Sequence, residues 1–180
     1  MKVLLSLVLS LSLSFSLGTV EAKQKEIGHP PFMSPHFSPI VVSEGTVFVA
    51  NTPSDTVDVL DVSSNRIVHR IPVGLDPVSL AVRPDGRELW VSNHISDSVS
   101  VIDLDQSKPT FMQVVATVQD IDPKTKATRF DEPMGIAFAS NRKAYVALSS
   151  ENKIAVVDVA TRKVTKALTI PAQDLSLIHI

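Results

Sequence analysis

The sequence contains no cysteine among its 180 residues. Without cysteine, this stretch can form no disulfide, no zinc–thiolate site, no cysteine nucleophile and no covalent link to c-type haem. Glycine is also scarce, at six residues, whereas twelve prolines punctuate a chain rich in valine. Since valine favours strands and proline favours turns, this composition indicates a protein built from strands and turns.

The sequence also lacks a surplus of charge of either sign. Its 17 basic and 19 acidic side chains leave a net charge of −2. A nucleic-acid-binding protein normally has a basic surplus, so we expect no nucleic-acid partner. Hydrophobic residues make up 44% of the chain, which is enough to build the core of one ordinary domain and is not typical of a disordered chain.

The first 22 residues (1–22) have the pattern of a secretory signal peptide. Lys2 supplies a positive charge, an apolar run diluted only by serine covers 3–17, and Val20 and Ala22 suit a cleavage site. The run is shorter than the roughly 20 apolar residues that cross a bilayer. We therefore expect an exported protein, periplasmic or extracellular, that starts near Lys23 and has no membrane span after signal removal. An uncleaved N-terminal anchor is the alternative.

The last six residues, 175–180, resemble nothing upstream. Their sequence, Leu-Ser-Leu-Ile-His-Ile, matches one reading frame of the transposase end sequence used to prepare DNA libraries. We therefore expect the natural sequence to stop near Asp174, inside a longer gene, and 175–180 to be a non-native tail that includes His179. A short C-terminal strand is the alternative.

Three segments in the middle of the chain resemble one another. Each has a tetrad that starts with an aromatic residue, then a loop, then an alternating strand that ends in aspartate. The tetrads start at Phe48, Trp90 and Tyr145, and the strands end at Asp61, Asp103 and Asp158. The steps between these aspartates are 42 and 55 residues. Repeats of about 40–45 residues with several short strands are typical of β-propeller blades.

Each repeat is predicted to form four consecutive strands, a to d. In the second repeat, Pro84-Asp85-Gly86 forms the turn between strands a and b, because proline presets φ and glycine accepts positive φ. The predicted strands are 40–42, 47–50, 56–61 and 66–71; 78–82, 88–93, 98–103 and 111–118; and 134–138, 143–148, 153–158 and 163–168. The predicted fold class is all-β, with four-stranded antiparallel blades at about 39–73, 74–118 and 133–170, rather than a single sheet or a sandwich.

The repeats resemble the Tyr-Val-Thr-Asn (YVTN) β-propeller family. The resemblance is carried by Phe48-Val49-Ala50-Asn51, Trp90-Val91-Ser92-Asn93, Tyr145-Val146-Ala147-Leu148 and the glycine-x-x-proline link Val73-Gly74-Leu75-Asp76-Pro77. The third repeat departs from the pattern, because Leu148 replaces asparagine. The resemblance implies a propeller of about seven blades, of which 39–174 encodes roughly three. Three blades cannot close a ring, so we expect the isolated product to associate through its open edges.

In a propeller, the b–c loops and the d–a links share one face, which usually carries the ligand. This placement gives eight candidate ligand-face residues: Asp55, Asp76, His94, Asp97, Asp120, Asp122, Asp131 and Glu132. Four of them lie in the insertion 119–132, the longest irregular stretch, and long loops on a rigid scaffold often carry function. Four carboxylates suit calcium, but their spacing matches no known calcium loop and three basic residues interrupt them, so we predict a solvated loop and no metal site.

The polar residues that recur at equivalent positions are predicted to be structural, because catalysis rarely needs the same residue in every blade. Asn51 and Asn93 end strand b and are expected to cap turns through their own backbone. Asp61, Asp103 and Asp158 end strand c and are expected to do the same for the c–d turn. The proline-rich leader, 23–38, contains His29 and His36 without the spacing of a local metal site, and we expect it to lie extended over the propeller.

No catalytic motif and no cofactor motif is recognisable in this stretch. The sequence therefore favours an exported binding module that presents its loop face to an unknown protein or small-molecule ligand. The resemblance leaves two alternatives open. One is the propeller part of an exported oxidoreductase, quinoprotein-like or cytochrome-linked, or of a lactonase-like enzyme, with catalytic groups beyond Asp174. The other is a surface-layer or adhesive repeat protein.

Overall fold

The computed structural model describes residues 36–150 and 152–170. The predicted signal peptide, most of the leader including His29, and the predicted tail lie outside the described residues. Within the described part, the structure contains no helix with the length and hydrophobicity that a membrane crossing requires.

The described residues form three four-stranded antiparallel sheets, each made of four strands that are consecutive in the sequence. Blade 1 contains β1 (Ile40–Ser43), β2 (Thr46–Asn51), β3 (Thr56–Asp61) and β4 (Arg66–Pro72). Blade 2 contains β5 (Pro77–Val82), β6 (Glu88–Asn93), β7 (Ser98–Asp103) and β8 (Val114–Val118). Blade 3 contains β9 (Pro133–Ser140), β10 (Lys143–Leu148), β11 (Lys153–Asp158) and β12 (Lys163–Thr169). The first strands of neighbouring blades contact one another. The predicted all-β fold of four-stranded antiparallel blades is confirmed, and the described residues form part of a β-propeller.

Strand β8 differs from the prediction, because it starts at Val114 rather than at 111. The Thr110 hydroxyl donates to the Asp103 carboxylate at 2.6 Å, and the Met112 N–H donates to the Asp103 carbonyl at 2.8 Å. Met112 has a φ of 60°, so the chain is still turning at this point and cannot pair as a strand. Because of these contacts of Asp103, β8 starts three residues later than predicted.

The hydrophobic core lies between the blades. Phe48, Val57 and Val59 of blade 1 pack against blade 2, and Trp90 and Val101 of blade 2 pack against blade 3. Each fully buried valine in these junctions contributes about 1.5–3 kcal/mol. In the third blade, the equivalent side chains are less buried. Its Ile154 and Val156, at the positions of Val57 and Val59, are only partly buried because no described residues form a blade over that face.

The end of the leader joins the propeller. Ser38 forms a parallel bridge with Ser79, and the Leu80 N–H donates to the Ser38 carbonyl at 2.8 Å. The Phe37 ring lies so close to Gly135 that a Cβ at that glycine would come within 3.0 Å of the ring. Residues 36–38 therefore extend β1 across the first strands of the two other blades, and glycine at 135 makes room for the aromatic ring.

Candidate functional site

The b–c loops and the d–a links lie at one end of the blades, because strands b and d end there and strands a and c begin there. We call this end the loop face. It is formed by the b–c loops 52–55, 94–97 and 149–152, of which 151 lies outside the described residues, and by the links 73–76 and 119–132. All eight candidate ligand-face residues lie on it.

Two of these candidates, Asp55 and Asp97, tie neighbouring blades together. The Asp76 N–H donates to Asp55 Oδ1 at 2.9 Å, and the Glu132 N–H donates to Asp97 Oδ1 at 3.0 Å. All four residues have positive φ, between 47° and 60°. Aspartate tolerates this left-handed conformation better than most residues, and Glu132 adopts it as well. The same arrangement thus occurs at both junctions between blades.

The backbone carbonyl of each link residue, Asp76 and Glu132, accepts a hydrogen bond from the following blade. The His94 N–H donates to the Asp76 carbonyl at 2.9 Å, and the Ser149 N–H donates to the Glu132 carbonyl at 3.1 Å. We call this pair of contacts the link clasp. The N–H of the link residue donates to a carboxylate in the b–c loop of the preceding blade, and the carbonyl of the link residue accepts from an N–H in the b–c loop of the following blade. The clasp fixes the backbone of the loop face.

Two side chains at the first clasp remain without a hydrogen-bond partner in the described structure. They are the buried carboxylate of Asp76 and the buried Nδ1 of His94. Buried polar groups in proteins are usually satisfied, often by ordered water. Their backbones meet at the first clasp, and both side chains are candidates for contact with solvent or a small polar ligand.

Within the predicted loop insertion 119–132, the chain folds back on itself as a short hairpin. Ile121 and Thr128 form an antiparallel bridge, and the Asp122 N–H donates to the Ala127 carbonyl at 2.9 Å. The Arg129 guanidinium binds the Asp120 carboxylate at 2.7 Å. Phe130 is fully buried in the core between blades 2 and 3 and anchors the base. We call residues 119–130 the insert hairpin.

The carboxylates of the insert hairpin are used within it. Asp122 Oδ1 accepts hydrogen bonds from the N–H groups of Thr125 and Lys124, at 2.9 and 2.8 Å, and these bonds lower the pKa of Asp122. The Asp120 carboxylate in turn raises the pKa of Arg129. In residues 36–150 and 152–170, no three histidine, cysteine or carboxylate side chains are arranged to hold a metal ion.

Asp97, Asp131 and Glu132 form a second acidic group, beside the second clasp. The Ser150 hydroxyl donates to Asp131 Oδ2 at 2.5 Å, and the Ser149 hydroxyl donates to Glu132 Oε2 at 3.1 Å. Burial raises the pKa of Asp97, and the neighbouring carboxylates of Asp131 and Glu132 add to this effect against the bond from the Glu132 N–H. The structure thus brings these three candidates together and keeps Asp120 and Asp122 in the insert hairpin.

The Asp97→Asn substitution is expected to raise the free energy of unfolding at neutral pH. The amide keeps an Oδ1 acceptor for the Glu132 N–H and removes the repulsion from Asp131. The folded state raises the pKa of Asp97 above the value of about 3.9 that an aspartate has in an unfolded chain. The ionised carboxylate therefore destabilises the fold increasingly as the pH rises from the unfolded pKa through the folded pKa. The gain should therefore be largest at neutral pH and disappear in acid, as measured by urea unfolding at several pH values.

The matched control for this experiment is Asp55→Asn in the first clasp, where Leu75 stands in place of Asp131. This substitution removes a clasp carboxylate at a position without that neighbouring aspartate. Blade 3 already has asparagine, Asn152, at the equivalent position, with a φ of 50°. Equal pH profiles for the two variants would show that carboxylate repulsion is not the cause.

The recurring asparagines act differently from the prediction. Asn51 Nδ2 donates to Asp58 Oδ2 at 3.1 Å, and Asn93 Nδ2 donates to the hydroxyls of Ser98 and Ser100 at 3.1 and 2.9 Å. The amides therefore join strand b to side chains of strand c instead of capping their own turn. The six-residue strands place each amide directly beside the start of strand c, where these acceptors lie.

The recurring aspartates bind the c–d turn in all three blades. A backbone N–H two or three residues further on donates to Asp61 at 2.7 Å, to Asp103 at 3.0 Å and to Asp158 at 2.8 Å. Hydrogen bonds from the side chains of Ser63 and Thr161 lower the pKa values of Asp61 and Asp158 respectively. These turns lie at the opposite end of the blades from the loop face.

Comparisons with known proteins agree with the fold. The chain is 36% identical over 117 residues to the Seven-bladed beta-propeller protein Rv1057 of Mycobacterium tuberculosis, and the match covers 61% of this chain and 26% of that protein. The chain thus spans about a quarter of the length of this curated relative. No family model matches the chain.

Two solved structures are similar to the fold. The hydrazine synthase of Kuenenia stuttgartiensis matches with a TM-score of 0.60 and 27% identity, over 77% of this chain and 38% of that chain. The structure of U3-55K matches with a TM-score of 0.58 and 21% identity, over 78% of this chain and 42% of that chain. The second likeness concerns the fold alone. Together with the relative from Mycobacterium tuberculosis, these matches relate the chain to β-propellers.

Proposed function

We propose that this chain is part of an exported propeller of the YVTN repeat type that acts as a binding module through its loop face. The observation that carries the proposal is the insert hairpin. It is ordered by its own hydrogen bonds, anchored by the buried Phe130, and leaves the Ile121 side chain 49% exposed on the loop face. A preorganised projection of this kind loses little conformational entropy when it binds a partner.

The rest of the proposal has support from the sequence. The three aromatic tetrads and the glycine-x-x-proline link support the YVTN type, and the relative from Mycobacterium tuberculosis, itself described as seven-bladed, supports a larger ring. The charge at Lys2, the apolar run at 3–17 and the cleavage pattern at Ala22 support export. A binding module needs no further chemistry from these residues.

A second candidate function is the propeller part of an exported oxidoreductase or a lactonase-like enzyme. The likeness to a hydrazine synthase, which is named as an enzyme, favours it. In that case His94 is the candidate contributor, because its Nδ1 is buried without a hydrogen-bond partner in the described residues. One fold hosts many functions, so this likeness alone does not decide between the two.

Photo-cross-linking tests the binding module. A photo-reactive phenylalanine analogue replaces Ile121 on the insert hairpin, and a control variant carries it at Val115, which is 43% exposed on the outer strand of blade 2. The chain is expressed in cells that export it, irradiated, and analysed after fractionation. We expect a discrete adduct in the exported fraction from position 121 and none from position 115. Adducts from both positions, or a product confined to the cytoplasm, would contradict the proposal.

A further inference from the structure

Three large apolar side chains are exposed on the loop face of blade 2. Leu75, Ile95 and Ile121 are 48%, 44% and 49% exposed, and they lie in the first link, the b–c loop and the insert hairpin respectively. The Leu75 N–H donates to Ser96 Oγ at 3.0 Å, and Gln119 Nε2 donates to the Ser96 carbonyl at 3.5 Å. The three segments therefore meet around Ser96, and we call Leu75, Ile95 and Ile121 the apolar patch.

The fold does not account for the apolar patch. Blade 2 lies between blades 1 and 3, so the patch is exposed although both neighbouring blades are in place. In blade 3, Asp131 stands in place of Leu75, and Ser150 stands in place of Ile95. The insert hairpin, which supplies the third side chain, has no counterpart at the first link. Exposed apolar residues that gather at one place without a role in the repeat are typical of an interaction surface.

Negative charge lies beside the apolar patch. Asp97 shares the b–c loop of blade 2 with the patch and lies with Asp131 and Glu132 at the second clasp. Burial raises the pKa of Asp97, and repulsion from the other two carboxylates adds to this effect. Asp76 directly follows Leu75, and its carboxylate is fully buried without a hydrogen-bond partner in the described residues. Because a buried charge without a partner is costly, a cation brought close to this surface is stabilising.

The basic side chains of the insert hairpin do not neutralise these carboxylates. Arg129 binds Asp120 at 2.7 Å and lies 3.7 Å from the Asp122 carboxylate. Lys124 and Lys126 lie at the tip of the hairpin, where the Lys126 N–H donates to the Asp122 carbonyl at 2.9 Å. Among the residues that the structure describes, the carboxylates beside the apolar patch form no ion pair with a basic side chain. A cation on a partner therefore meets carboxylates that are not already neutralised.

We propose that the apolar patch binds a protein segment in which apolar side chains adjoin lysine or arginine. This inference rests on the proposed function, since it names the chemistry of the partner that the loop face binds. The apolar side chains of the segment cover the patch, and its basic side chains reach the carboxylates at the second clasp. Charge complementarity of this kind favours a cationic partner over an anionic one. The clasps already hold the backbone around the patch, so binding loses little conformational entropy.

A selection from random peptides displayed on phage tests the proposal, with the complete chain as the bait. The library is first depleted on the triple variant Leu75→Ser, Ile95→Ser and Ile121→Ser, which keeps every other surface of the chain, including the outer faces of blades 1 and 3. We expect the peptides that the wild type then retains to combine apolar residues with lysine or arginine. Retained peptides without basic residues, or rich in aspartate and glutamate, would overturn the proposal, as would the absence of any retained peptide.

The cross-linking at position 121 tests the binding module separately, because it detects a partner whatever the charge of that partner. An adduct there, together with retained peptides that lack basic residues, would keep the binding module and reject only the basic partner.

Fluorescence anisotropy then separates the two contributions, with the most enriched peptide synthesised as selected and with its basic residues replaced by glutamine. Ile95→Ser should weaken binding of the selected peptide about tenfold, whereas Val115→Ser, at an exposed position on the outer strand of blade 2, should leave it unchanged. Asp131→Asn should weaken the selected peptide about threefold and leave the glutamine peptide unchanged. Glu44→Gln, at an exposed position on the opposite end of the blades, should affect neither peptide. Equal effects of Asp131→Asn on both peptides would overturn the role of charge.

Circular dichroism verifies that each variant is folded before its binding is measured. The three side chains of the apolar patch are already exposed, so serine at these positions is compatible with the fold. If the triple variant is unfolded, Ile95→Ser alone serves for the depletion step.

Discussion

Replacing Glu88 with alanine is expected to lower the free energy of unfolding by about 3–5 kcal/mol. Glu88 lies in blade 2 and is 8% exposed. Its Oε1 accepts hydrogen bonds from Arg83 of its own blade and from Arg162 of blade 3, and its Oε2 accepts one from Trp90 Nε1 at 3.0 Å. Removing the carboxylate leaves two guanidinium groups, with side chains 15% and 24% exposed, without this anion.

Urea unfolding followed by circular dichroism measures this loss. The matched control is Asp85→Ala, which removes another partner of Arg83 at a more exposed position and should cost less than about 1 kcal/mol. Combining Glu88→Ala with Arg162→Met should cost less than the two single changes added together, because the second change removes a charge that the first had left unpaired. Equal losses for Glu88→Ala and Asp85→Ala would refute the role of the ionic contact between blades.

The first junction handles the same position without charges. Thr46 stands at the register position of Glu88, and Met112, in the turn that corresponds to that of Arg162, packs on the apolar cluster between blades 1 and 2. Met112 and Arg162 both have a φ of 60°, so the backbone conformation is shared. Replacing buried ion pairs by apolar groups of similar size is often neutral, which explains how one repeat tolerates both solutions.

Most of the fold follows from local sequence patterns. The alternation of valines around Val57 and Val99 indicates strands, and Pro84-Asp85-Gly86 gives the turn between strands a and b of the second repeat its backbone conformation. Eleven of the twelve strands start within one residue of the predicted positions. Strand β8 is the exception, because the contacts of Asp103 with Thr110 and Met112 are made across a loop whose conformation no local pattern specifies.

The loop face was less predictable. Its candidate residues could be placed at one end of the blades, but hydrogen bonds between blades, such as that from Asp76 to Asp55, leave no local pattern. A signal for the clasp was nevertheless available in the repeats. Asp55, Asp97 and Asn152 each stand six residues before the aspartate that ends strand c. Recurrence at a fixed offset indicates a structural contact, and it distinguishes these residues from the insert hairpin, which occurs once.

Replacing Trp90 with alanine is expected to lower the free energy of unfolding by about 3–5 kcal/mol. Trp90 is fully buried at the junction of blades 2 and 3 and meets Phe138 edge to face, with ring centroids 5.2 Å apart. Arg162 lies 5.4 Å above its ring. The substitution leaves a cavity between two sheets that other contacts hold in place, so the surroundings can collapse only partly. Urea unfolding followed by circular dichroism gives the loss.

The equivalent positions in the other blades separate the contribution of the covering blade from that of the strand itself. Phe48 is 1% exposed in the first junction, and Phe48→Ala should also lower the free energy of unfolding by about 3–5 kcal/mol. Tyr145 is only partly buried, because no described blade covers it, and Tyr145→Ala should cost far less. If Tyr145→Ala were as costly as Trp90→Ala, the aromatic position would stabilise its own sheet, and packing between blades would not be the source of its energy.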